Sequence, residues 1–413
     1  ADSFYEHCAD QGTGWYDYAR NNHIKVSTGT DYKNPWNTLS MFVRYHILNF
    51  KLPYTKLVNQ ENAVSKVTLV EYYETMLPYT LLKITRNTGK LNINRWEANT
   101  SLTNQVAELG TRDMHTVLFE GIEIPNTKDG RLQPLNGYVH PIKGLLAYTE
   151  NVPHGSLNER MRFDVSSLIG EMMSNSFRCI KYAEVRALNG GKQGSDGNLS
   201  GDYIVIPPGF AKNIAIYNGD DTRLYYLPGD GSAWSNYQND EFNCKGRFDF
   251  AFRLPPIPDG TYELRLGYTA NGNRGMLQFY LGSSSDLTTM KALDIPLDMR
   301  IVPVDNSDGT PDVNTGWCNW TILDDQGVES DANMRNLGYM RGPLYYTWGN
   351  GAQVRANRED LRRILAKQDF KQEEHWLRFK SVLEGDAWQF HLDYIEFCPE
   401  NVYNNTIYVE DMY

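Results

Sequence analysis

Two segments in the second half of the chain alternate apolar and polar residues with a period of two. Residues 248–254 place Phe or Leu at every second position, and residues 261–268 place Tyr or Leu in the same way. Successive side chains of a strand point to opposite faces, so this pattern is typical of strands with one buried and one solvated face. Residues 255–260 contain three prolines and a glycine. The sequence therefore predicts two strands joined by a turn-rich connection.

The rest of the second half repeats this short-strand pattern at intervals of about ten residues, which favours an antiparallel β-sandwich over a parallel sheet. We assign this sandwich to residues 180–413. One helix is expected within it, capped by Asn357 and burying Leu361, Ile364 and Leu365. The further predicted strands are residues 203–206, 214–217, 276–281, 376–383 and 388–397.

The first 150 residues mix helical and strand-like patterns. Asn34 and Pro35 are typical of a helix N-cap and first helical residue, and apolar residues then recur at helical spacing up to Ile47. Residues 79–84 and 115–119 are strand-like. Residues 151–179 lack strong caps, and we interpret them as a linker with short helical turns.

Two segments of the first part resemble the ends of a fasciclin domain. Residues 42–48 read Phe-Val-Arg-Tyr-His-Ile-Leu, and residues 136–146 read Asn-Gly-Tyr-Val-His-Pro-Ile-Lys-Gly-Leu-Leu. Fasciclin domains carry a Tyr-His near the end of a helix and close with an Asn-Gly-x-x-His-x-Ile-x-Gly strand. Residues 2–5 resemble the tail of that family's Phe-Ala-Pro-Thr-Asp-x-Ala-Phe motif. The resemblance implies a fasciclin-like domain over residues 1–150 whose first segment is missing.

The two motif histidines have a structural interpretation. His46 lies beside the apolar stripe of its predicted helix, and no second metal ligand is nearby in the sequence. We expect His46 and His140 to be largely buried and hydrogen-bonded, with Tyr45 and Asn136 making local hydrogen bonds.

The second half resembles the C-terminal part of large Bacteroidetes fasciclin-domain lipoproteins. The matching segments are residues 206–209, 246–268, 375–380 and 390–399. The resemblance implies an α+β chain, with the fasciclin-like domain followed by an antiparallel, jelly-roll-like β-sandwich. It also implies a lipid-anchored protein exposed on the outer membrane, because such proteins are commonly encoded beside SusC/SusD-type nutrient importers.

The function implied by this resemblance is non-catalytic binding, as an accessory subunit of a SusCD-like nutrient-uptake complex. The expected partners are SusC/SusD-like transporter subunits, other surface lipoproteins and a glycan or peptide ligand. A stand-alone cell-adhesion protein is the alternative, and a surface hydrolase is the third interpretation. The lipid anchor would lie outside this sequence.

The composition argues against several other classes of protein. The formal charge of the 413 residues is −11 and no long Lys/Arg run occurs, which argues against binding of nucleic acid or anionic lipid. No apolar stretch approaches the ~20 residues that a membrane-spanning helix needs. The five cysteines are scattered, so neither a zinc site nor a disulfide framework is expected. They are Cys8, Cys179, Cys244, Cys318 and Cys398.

Motifs of catalysis and of cofactor binding are missing from the sequence. It contains no Gly-x-Ser-x-Gly elbow, His-Glu-x-x-His helix, phosphate loop or dinucleotide fingerprint, so we predict no enzymatic activity and no cofactor. Asp305, Asp308 and Asp312 lie close together in one loop and form a weak calcium candidate. The distal bidentate Glu of a helix–loop–helix calcium site is absent, and a solvated turn is the favoured interpretation.

Clusters of aromatic residues in Gly-, Asn- and Asp-rich surroundings are the stronger candidates for a ligand-binding site. Aromatic rings on loops of a rigid sandwich offer flat faces for sugar rings or peptide side chains. For Trp317 and Trp320 we favour a packing role, in which the rings attach long loops to the sandwich. The candidate ligand-binding residues are Trp234, Tyr237, Tyr345, Tyr346 and Trp348.

Overall fold

The structure is a computed structural model. It describes residues 15–24, 31, 33–58, 69–87, 89–99, 115–127, 134–189, 203–228, 237–319, 327–342, 357–383, 385 and 389–404. Within these ranges the chain is rich in antiparallel strands and has few helices. No helix in this part of the chain is both long and apolar enough to cross a membrane.

The first part of the chain forms one four-stranded antiparallel sheet, called sheet A, and a separate hairpin. Sheet A has the order β1-β2-β3-β6, with β1 at one end. Its strands are β1 Leu69–Glu74, β2 Leu81–Asn87, β3 Lys90–Ile93 and β6 Ile122–Ile124, and the hairpin strands are β4 Trp96–Asn99 and β5 His115–Phe119.

Three further antiparallel sheets follow. Sheet B, in order, contains β19 Gln389–Leu392, β11 Asp240–Lys245, β10 Arg223–Pro228 and β8 Ile204–Ile206. Sheet C contains β15 Lys291–Asp298, β14 Met276–Gly282, β18 Trp376–Ser381, β12 Asp249–Arg253 and β9 Ile214–Ile216. Sheet D contains β16 Tyr339–Arg341, β17 Asp360–Phe370, β13 Gly260–Thr269, β20 Tyr394–Pro399 and β7 Met161–Asp164.

The helices of the described residues are short. They are α1 Trp15–Asn22, α2 Thr38–Tyr45, α3 Gly170–Ser174, α4 Tyr182–Leu188, α5 Gly327–Asn336 and α6 Glu400–Tyr403. Helix α2 begins later than expected, because Asn37 is its N-cap and accepts a hydrogen bond from Leu39 N at 3.1 Å.

Sheets B and C pack face to face through the residues that the alternation predicted to be buried. Phe252 of β12 lies 5.4 Å from Phe242 of β11, measured between ring centroids. Phe390 of β19 lies 5.7 Å from Phe250 and 5.1 Å from Phe379. Edge-to-face and tilted rings at these distances are the favoured aromatic arrangements. The β-rich, antiparallel character of the second half is therefore confirmed.

The segment 151–179 carries more structure than the linker that we expected. It contains a helical turn at Val152–Ser156, strand β7 and helix α3. Strand β7 pairs with β20, which places Phe163 opposite Ile395. One continuous hydrophobic core extends from Met41 to Phe397, so residues before and after this segment are packed together.

Residues 357–365 form no helix, and this prediction was wrong. The residues after Asn357 form β17, which pairs with β13 along its whole length, from Asp360 with Thr269 to Phe370 with Gly260. The Asn357 side chain does cap a turn, accepting from Glu359 N at 3.1 Å. The ten cross-strand pairs outweigh the helix propensity of these residues, which is a weak contribution by itself.

The expected closing strand over residues 138–146 is also not a strand in the structure. This segment runs beside β6 with a single backbone bond to it, from Lys143 N to Glu123 O at 3.0 Å. Pro141 has no N–H to contribute to a ladder, which explains why regular pairing does not form.

The two motif histidines make hydrogen bonds to backbone carbonyl groups. His46 donates from Nδ1 to Phe42 O at 2.6 Å, and His140 donates from Nε2 to Leu52 O at 3.0 Å. Both are half-buried, and burial lowers both pKa values, so the rings are neutral near pH 7. Tyr45 donates to Leu81 O at 3.2 Å, whereas Asn136 is exposed.

We expect His140→Ala to lower the free energy of unfolding by about 1–3 kcal/mol, because the carbonyl of the buried Leu52 loses its donor. His154→Ala is the control, since His154 is exposed and its contact with Glu150 is a surface pair. Urea unfolding of both variants measures the effect. Equal stability of the two variants would contradict a structural role for His140.

Candidate ligand-binding cleft

A cleft of about 510 Å³ lies where the edge of sheet A meets β7, helix α3 and the end of β12 in sheet C. Clefts of ~300–1,000 Å³ are typical of small-ligand sites. Four parts of the chain line it: residues 49–50, residues 72–81, residues from 163 to 174, and a group from the later sheets that includes Asn213, Arg253 and Glu374.

Strand β1 lines the cleft along its edge. Five consecutive residues, from Tyr72 to Met76, contact the cleft. Side chains of a strand alternate between two faces, so a cleft that touches consecutive residues must run beside the backbone. Among the described strands, β1 is the terminal strand of sheet A. The cleft therefore occupies the position next to an edge strand.

A bidentate ion pair joins sheet A to sheet C across one wall of the cleft. Arg253 of β12 donates to the two carboxylate oxygens of Glu74 at 2.6 and 2.9 Å. Glu374 lies 3.6 Å from Arg253 and also accepts from Trp376 Nε1 at 2.6 Å. The hydrogen bonds that Arg253 donates to Glu74 raise the pKa of Arg253. These contacts fix the positions of a guanidinium and two carboxylates at the cleft.

The β1–β2 turn forms a second, partly apolar wall. Met76 is 41% exposed, which is unusual for a large apolar side chain and places it at the rim. Tyr79 has a positive φ of 57°, and its carbonyl accepts from Gln372 Nε2 at 2.7 Å. The same amide group donates to Tyr148 Oη at 2.8 Å. Residues far apart in the sequence thus hold this turn in place.

Helix α3 and the residues before β9 form the opposite wall. Lys212 N donates to Glu171 Oε1 at 3.4 Å, and Asn213 Nδ2 donates to Leu168 O at 3.3 Å. Asn213 O accepts from Arg253 N at 2.8 Å, which joins this wall to β12. The cleft therefore combines charged groups, amide groups and apolar surface.

Of the predicted ligand-binding residues, only Tyr237 lies within the described residues. Its ring packs against Tyr394 at 5.5 Å and the Arg162 guanidinium at 4.9 Å, and the side chain is buried. This ring has a packing role and offers no exposed face. Trp234, Tyr345, Tyr346, Trp348 and the packing candidate Trp320 lie outside the described residues. The other packing candidate, Trp317, is buried as expected.

The Asp305–Asp312 loop is organised by its own backbone. Asp312 is buried and accepts from Asn314 N at 3.1 Å and from Thr315 N at 2.8 Å. Asp308 accepts from Thr310 N at 3.0 Å, and these bonds to Thr310 lower its pKa. The described ranges hold no group of three or more His, Cys, Asp or Glu side chains arranged to bind a metal ion. The four described cysteines are free thiols.

Comparisons with known proteins give distant likenesses. No family model matches the chain, and no curated protein matches it. The K1 cleaved adhesin domain of Lys-gingipain from Porphyromonas gingivalis is 13% identical, with 48% of this chain and 94% of that chain covered and a TM-score of 0.25. A Paenibacillus xanthan lyase is 10% identical over 51% of this chain and 14% of that chain, with a TM-score of 0.22.

A fungal enzyme has the same degree of likeness. The exo-β-1,3-galactanase of Phanerochaete chrysosporium is 10% identical over 45% of this chain and 30% of that chain, with a TM-score of 0.20. At these TM-scores, none of the three likenesses supports the transfer of a fold or an activity.

Sequence reasoning did not find the cleft. Its first predicted strand was residues 79–84, so strand β1 was missed. The run Leu-Val-Glu-Tyr-Tyr-Glu at residues 69–74 is rich in β-branched and aromatic residues, and this composition was the available signal.

Proposed function

We propose that the chain is a non-catalytic cell-surface binding protein whose cleft holds part of a nutrient polymer. The supporting observation is the cleft itself, which lies at the junction of sheets and has fixed charged groups and partly exposed apolar groups. Sites of this kind, where a rigid scaffold positions a few polar groups in an apolar depression, are typical of ligand binding.

The charged groups of the cleft suit binding better than glycoside hydrolysis. A glycosidase needs a protonated carboxylic acid and a second carboxylate, both free to reach the scissile bond. Glu74 and Glu374 both contact Arg253, so neither carboxylate is free to reach a scissile bond. Carboxylates held in this way serve as hydrogen-bond acceptors for a ligand.

For the larger context, we propose a fasciclin-like first part and a jelly-roll-like sandwich, in a protein related to the Bacteroidetes surface lipoproteins. It would be lipid-anchored on the outer membrane and would assist SusC/SusD-like transporter subunits and other surface lipoproteins. This context comes from the resemblance of residues 42–48, 136–146 and the second-half segments to that family. Isolation of the native protein from membranes tests it, and recovery without any transporter subunit would contradict it.

Arg253→Gln is expected to weaken ligand binding at least ten-fold, because the two cleft carboxylates lose their fixed partner. Arg247→Gln is the control, since Arg247 lies in the connection between β11 and β12 and forms an exposed pair with Asp221 at 3.6 Å. Binding to glycan and peptide arrays is measured for both variants, with thermal melts to confirm folding.

Three measurements separate the candidate functions: array binding, product release and binding to host matrix. Equal binding by both variants would contradict the cleft as the capture site. Release of product from a glycan or peptide mixture by the wild-type protein would favour the hydrolase alternative. Binding to host matrix in the absence of importer subunits would favour the adhesion alternative.

A further inference from the structure

We propose that a buried ion pair between Arg178 and Glu71 positions two walls of the cleft and makes the shape of the cleft dependent on pH. This inference rests on the proposed binding function of the cleft and adds a positioning residue and a means of regulation to it. Glu71 lies on β1, directly before the residues of that strand that line the cleft. Arg178 lies shortly after helix α3, which forms the opposite wall.

The Arg178 guanidinium joins three parts of the chain in the core. Its Nη2 donates to Glu71 Oε1 and its Nη1 donates to Tyr73 Oη, so one side chain contacts two residues of β1. Nη2 also donates to Gln238 Oε1 at 3.2 Å, and the Gln238 amide donates to the same oxygen of Glu71. All four side chains are buried. Because the surroundings have a low dielectric constant, the attraction within this pair is stronger than in a surface pair.

The backbone between helix α3 and Arg178 is a tight turn, so the position of Arg178 and the position of the helix depend on each other. Ser176 N donates to Met173 O at 3.0 Å, and Phe177 N donates to Met172 O at 2.9 Å. Met173 is buried and lines the cleft. The Arg178 side chain therefore connects the end of the α3 wall to the β1 wall.

Residues 49–58 are attached to the same groups. Lys56 Nζ donates to Arg178 O at 2.8 Å. Tyr73 Oη donates to Leu57 O at 2.6 Å, and the Phe50 ring, which lines the cleft, packs on the Tyr73 ring with 5.2 Å between centroids. Three of the four parts of the chain that line the cleft thus meet at Arg178 and Tyr73.

The titratable groups around the pair come from several elements. Asp164 ends β7, which packs against β1, and Asp240 begins β11. Asp393 lies between β19 and β20 and accepts from Tyr237 N at 2.9 Å. Arg162 stacks on the Tyr237 ring and is paired with Glu396. Burial raises the pKa values of the other groups, so each favours its neutral form more than it does in water: Tyr73, Asp164, Cys179, Tyr237, Asp240 and Asp393.

Glu71 changes its charge near neutral pH. Burial raises the pKa of Glu71 to about 7, although the Arg178 guanidinium acts in the opposite direction. As the pH falls below 7, Glu71 takes up a proton, whereas Arg178 keeps its charge because its pKa lies well above the ordinary value. The attraction between opposite charges is then lost and only a hydrogen bond remains. We expect the α3 wall to be held closely against β1 above pH 7 and more loosely below it.

The stability of the whole fold responds to Glu71 in the opposite sense. Because the folded pKa lies above the ordinary value of 4.5, the stability that Glu71 contributes is complete below ~4.5 and is lost as the pH rises through about 7. That quantity compares a buried carboxylate with a hydrated one, whereas the contact between the walls depends on the attraction within the fold. A measurement on the cleft walls therefore separates a positioning role from a contribution to stability alone.

The test uses the intact chain, labelled with ¹³C at the methionine methyl groups and followed by NMR from pH 5.5 to 8.5 with no ligand added. Met173 reports on the α3 wall, and Met173→Leu assigns its resonance. Met299 is the internal reference, because it is buried beside β15 at the end of sheet C away from β12. We expect the Met173 resonance to shift with a midpoint near pH 7 and the Met299 resonance to stay fixed.

Glu71→Gln keeps the shape of the side chain but cannot ionise. In this variant the Met173 resonance should remain, over the whole pH range, at the position that it has in the wild type at pH 5.5. Glu123→Gln is the matched control on sheet A, because Glu123 pairs with the exposed Lys143 at 2.6 Å, and it should titrate like the wild type. A Met173 titration that persists in Glu71→Gln would overturn the proposal, since another group would then cause it.

A second measurement on the wild type keeps the proposal testable if Glu71→Gln fails to fold. With ¹³C in the glutamate carboxyl groups, one resonance should titrate with the same midpoint as the Met173 methyl group. A Met173 resonance that does not respond between pH 5.5 and 8.5 would overturn the proposal.

The outcome is independent of the proposed binding function, because neither measurement contains a ligand. Array binding that is lost in Arg253→Gln, together with an unresponsive Met173, would remove the pH control and leave the binding function. A Met173 titration that depends on Glu71, in a chain that binds nothing on the arrays, would support the coupling of the walls and remove the binding function.

Discussion

Replacing Glu396 with alanine is expected to lower the free energy of unfolding by about 3–5 kcal/mol, or to prevent folding. Glu396 lies on β20, is fully buried, and accepts from Arg162 Nε at 2.8 Å and from Arg362 at 3.3 Å. Arg160 and Arg265 are each within 3.6 Å. Removing one partner of a buried ion pair leaves uncompensated charge in the core. Here four guanidinium groups surround one carboxylate, although Arg265 also pairs with Glu263 at 2.5 Å.

The charge of Glu396 is the quantity under test. Burial by itself would raise its pKa, but the arginines, Arg162 foremost, hold the pKa of Glu396 well below its ordinary value. Glu396→Gln keeps the shape and removes the charge, so it should lose most of the same stability. Glu373→Ala, at an exposed position, should change it by less than about 0.5 kcal/mol. Chemical unfolding that places Glu396→Ala within 1 kcal/mol of the wild type would contradict the argument.

Asp240→Asn is expected to stabilise the protein increasingly as the pH rises from 5 to 9. Asp240 of β11 and Asp164 of β7 are both buried, and they are close enough for each carboxyl group to shift the pKa of the other. Tyr226 Oη donates to Asp240 Oδ2 at 2.6 Å, and Ser166 N donates to Asp164 Oδ2 at 3.1 Å. No N–H or O–H of the described residues reaches the two Oδ1 atoms. A hydrogen bond between these carboxyl groups therefore requires a shared proton.

The direction of the pH effect follows from the raised pKa values. Burial, and then the neighbouring Asp164, raise the pKa of Asp240 well above its ordinary value, and burial raises the pKa of Asp164. The stability that the pair contributes is complete below the unfolded pKa of ~4, and it is lost as the pH rises through the folded value. Between the unfolded and the folded pKa, each proton that only the folded state retains lowers the free energy of unfolding by about 1.4 kcal/mol per pH unit.

Asparagine can donate from its amide to Asp164 Oδ1 and still accept from Tyr226, without a titrating proton. The difference in unfolding free energy between Asp240→Asn and the wild type, measured with urea at several pH values, should therefore increase with pH. Asp220→Asn is the control, because Asp220 is exposed. Parallel curves for the wild type and Asp240→Asn would show that the pair holds no shared proton.

The sequence predicted strands well where burial follows hydrophobicity. In β12 and β13 one face carries Phe, Leu and Tyr, so the period of two is visible. The expectation that the other face is solvated was wrong, because Ala251, Glu263 and Arg265 on that face are also buried. In β17 the residues after Asp360 include Arg362 and Arg363, which are buried although they are charged. Buried arginines hide the alternation, and the remaining Leu361, Ile364 and Leu365 fit a helix. The carboxylate that neutralises Arg362 is Glu396, which a local pattern cannot reveal.

The same reason explains why β7 and the cleft were missed. Strand β7 reads Met-Arg-Phe-Asp and is buried on both faces, with Arg162 paired to Glu396 of β20 and Asp164 buried near Asp240 of β11. The cleft depends on β1 being a terminal strand and on Arg253 reaching Glu74, which lies 179 positions earlier. An edge position in a sheet and a contact between distant residues both arise from tertiary packing, so no short stretch of sequence predicts them.

The pairing of β7 with β20 has a consequence for the order in which the chain can fold. Met161–Asp164 must wait for residues 394–397, which are made more than two hundred residues later. Contacts of such long sequence separation are formed late, because closing the loop costs entropy before the contacts form. During synthesis the middle of the chain therefore exposes an unpaired strand edge until the C-terminal part emerges. A nascent chain released early would carry that unpaired edge into aggregation.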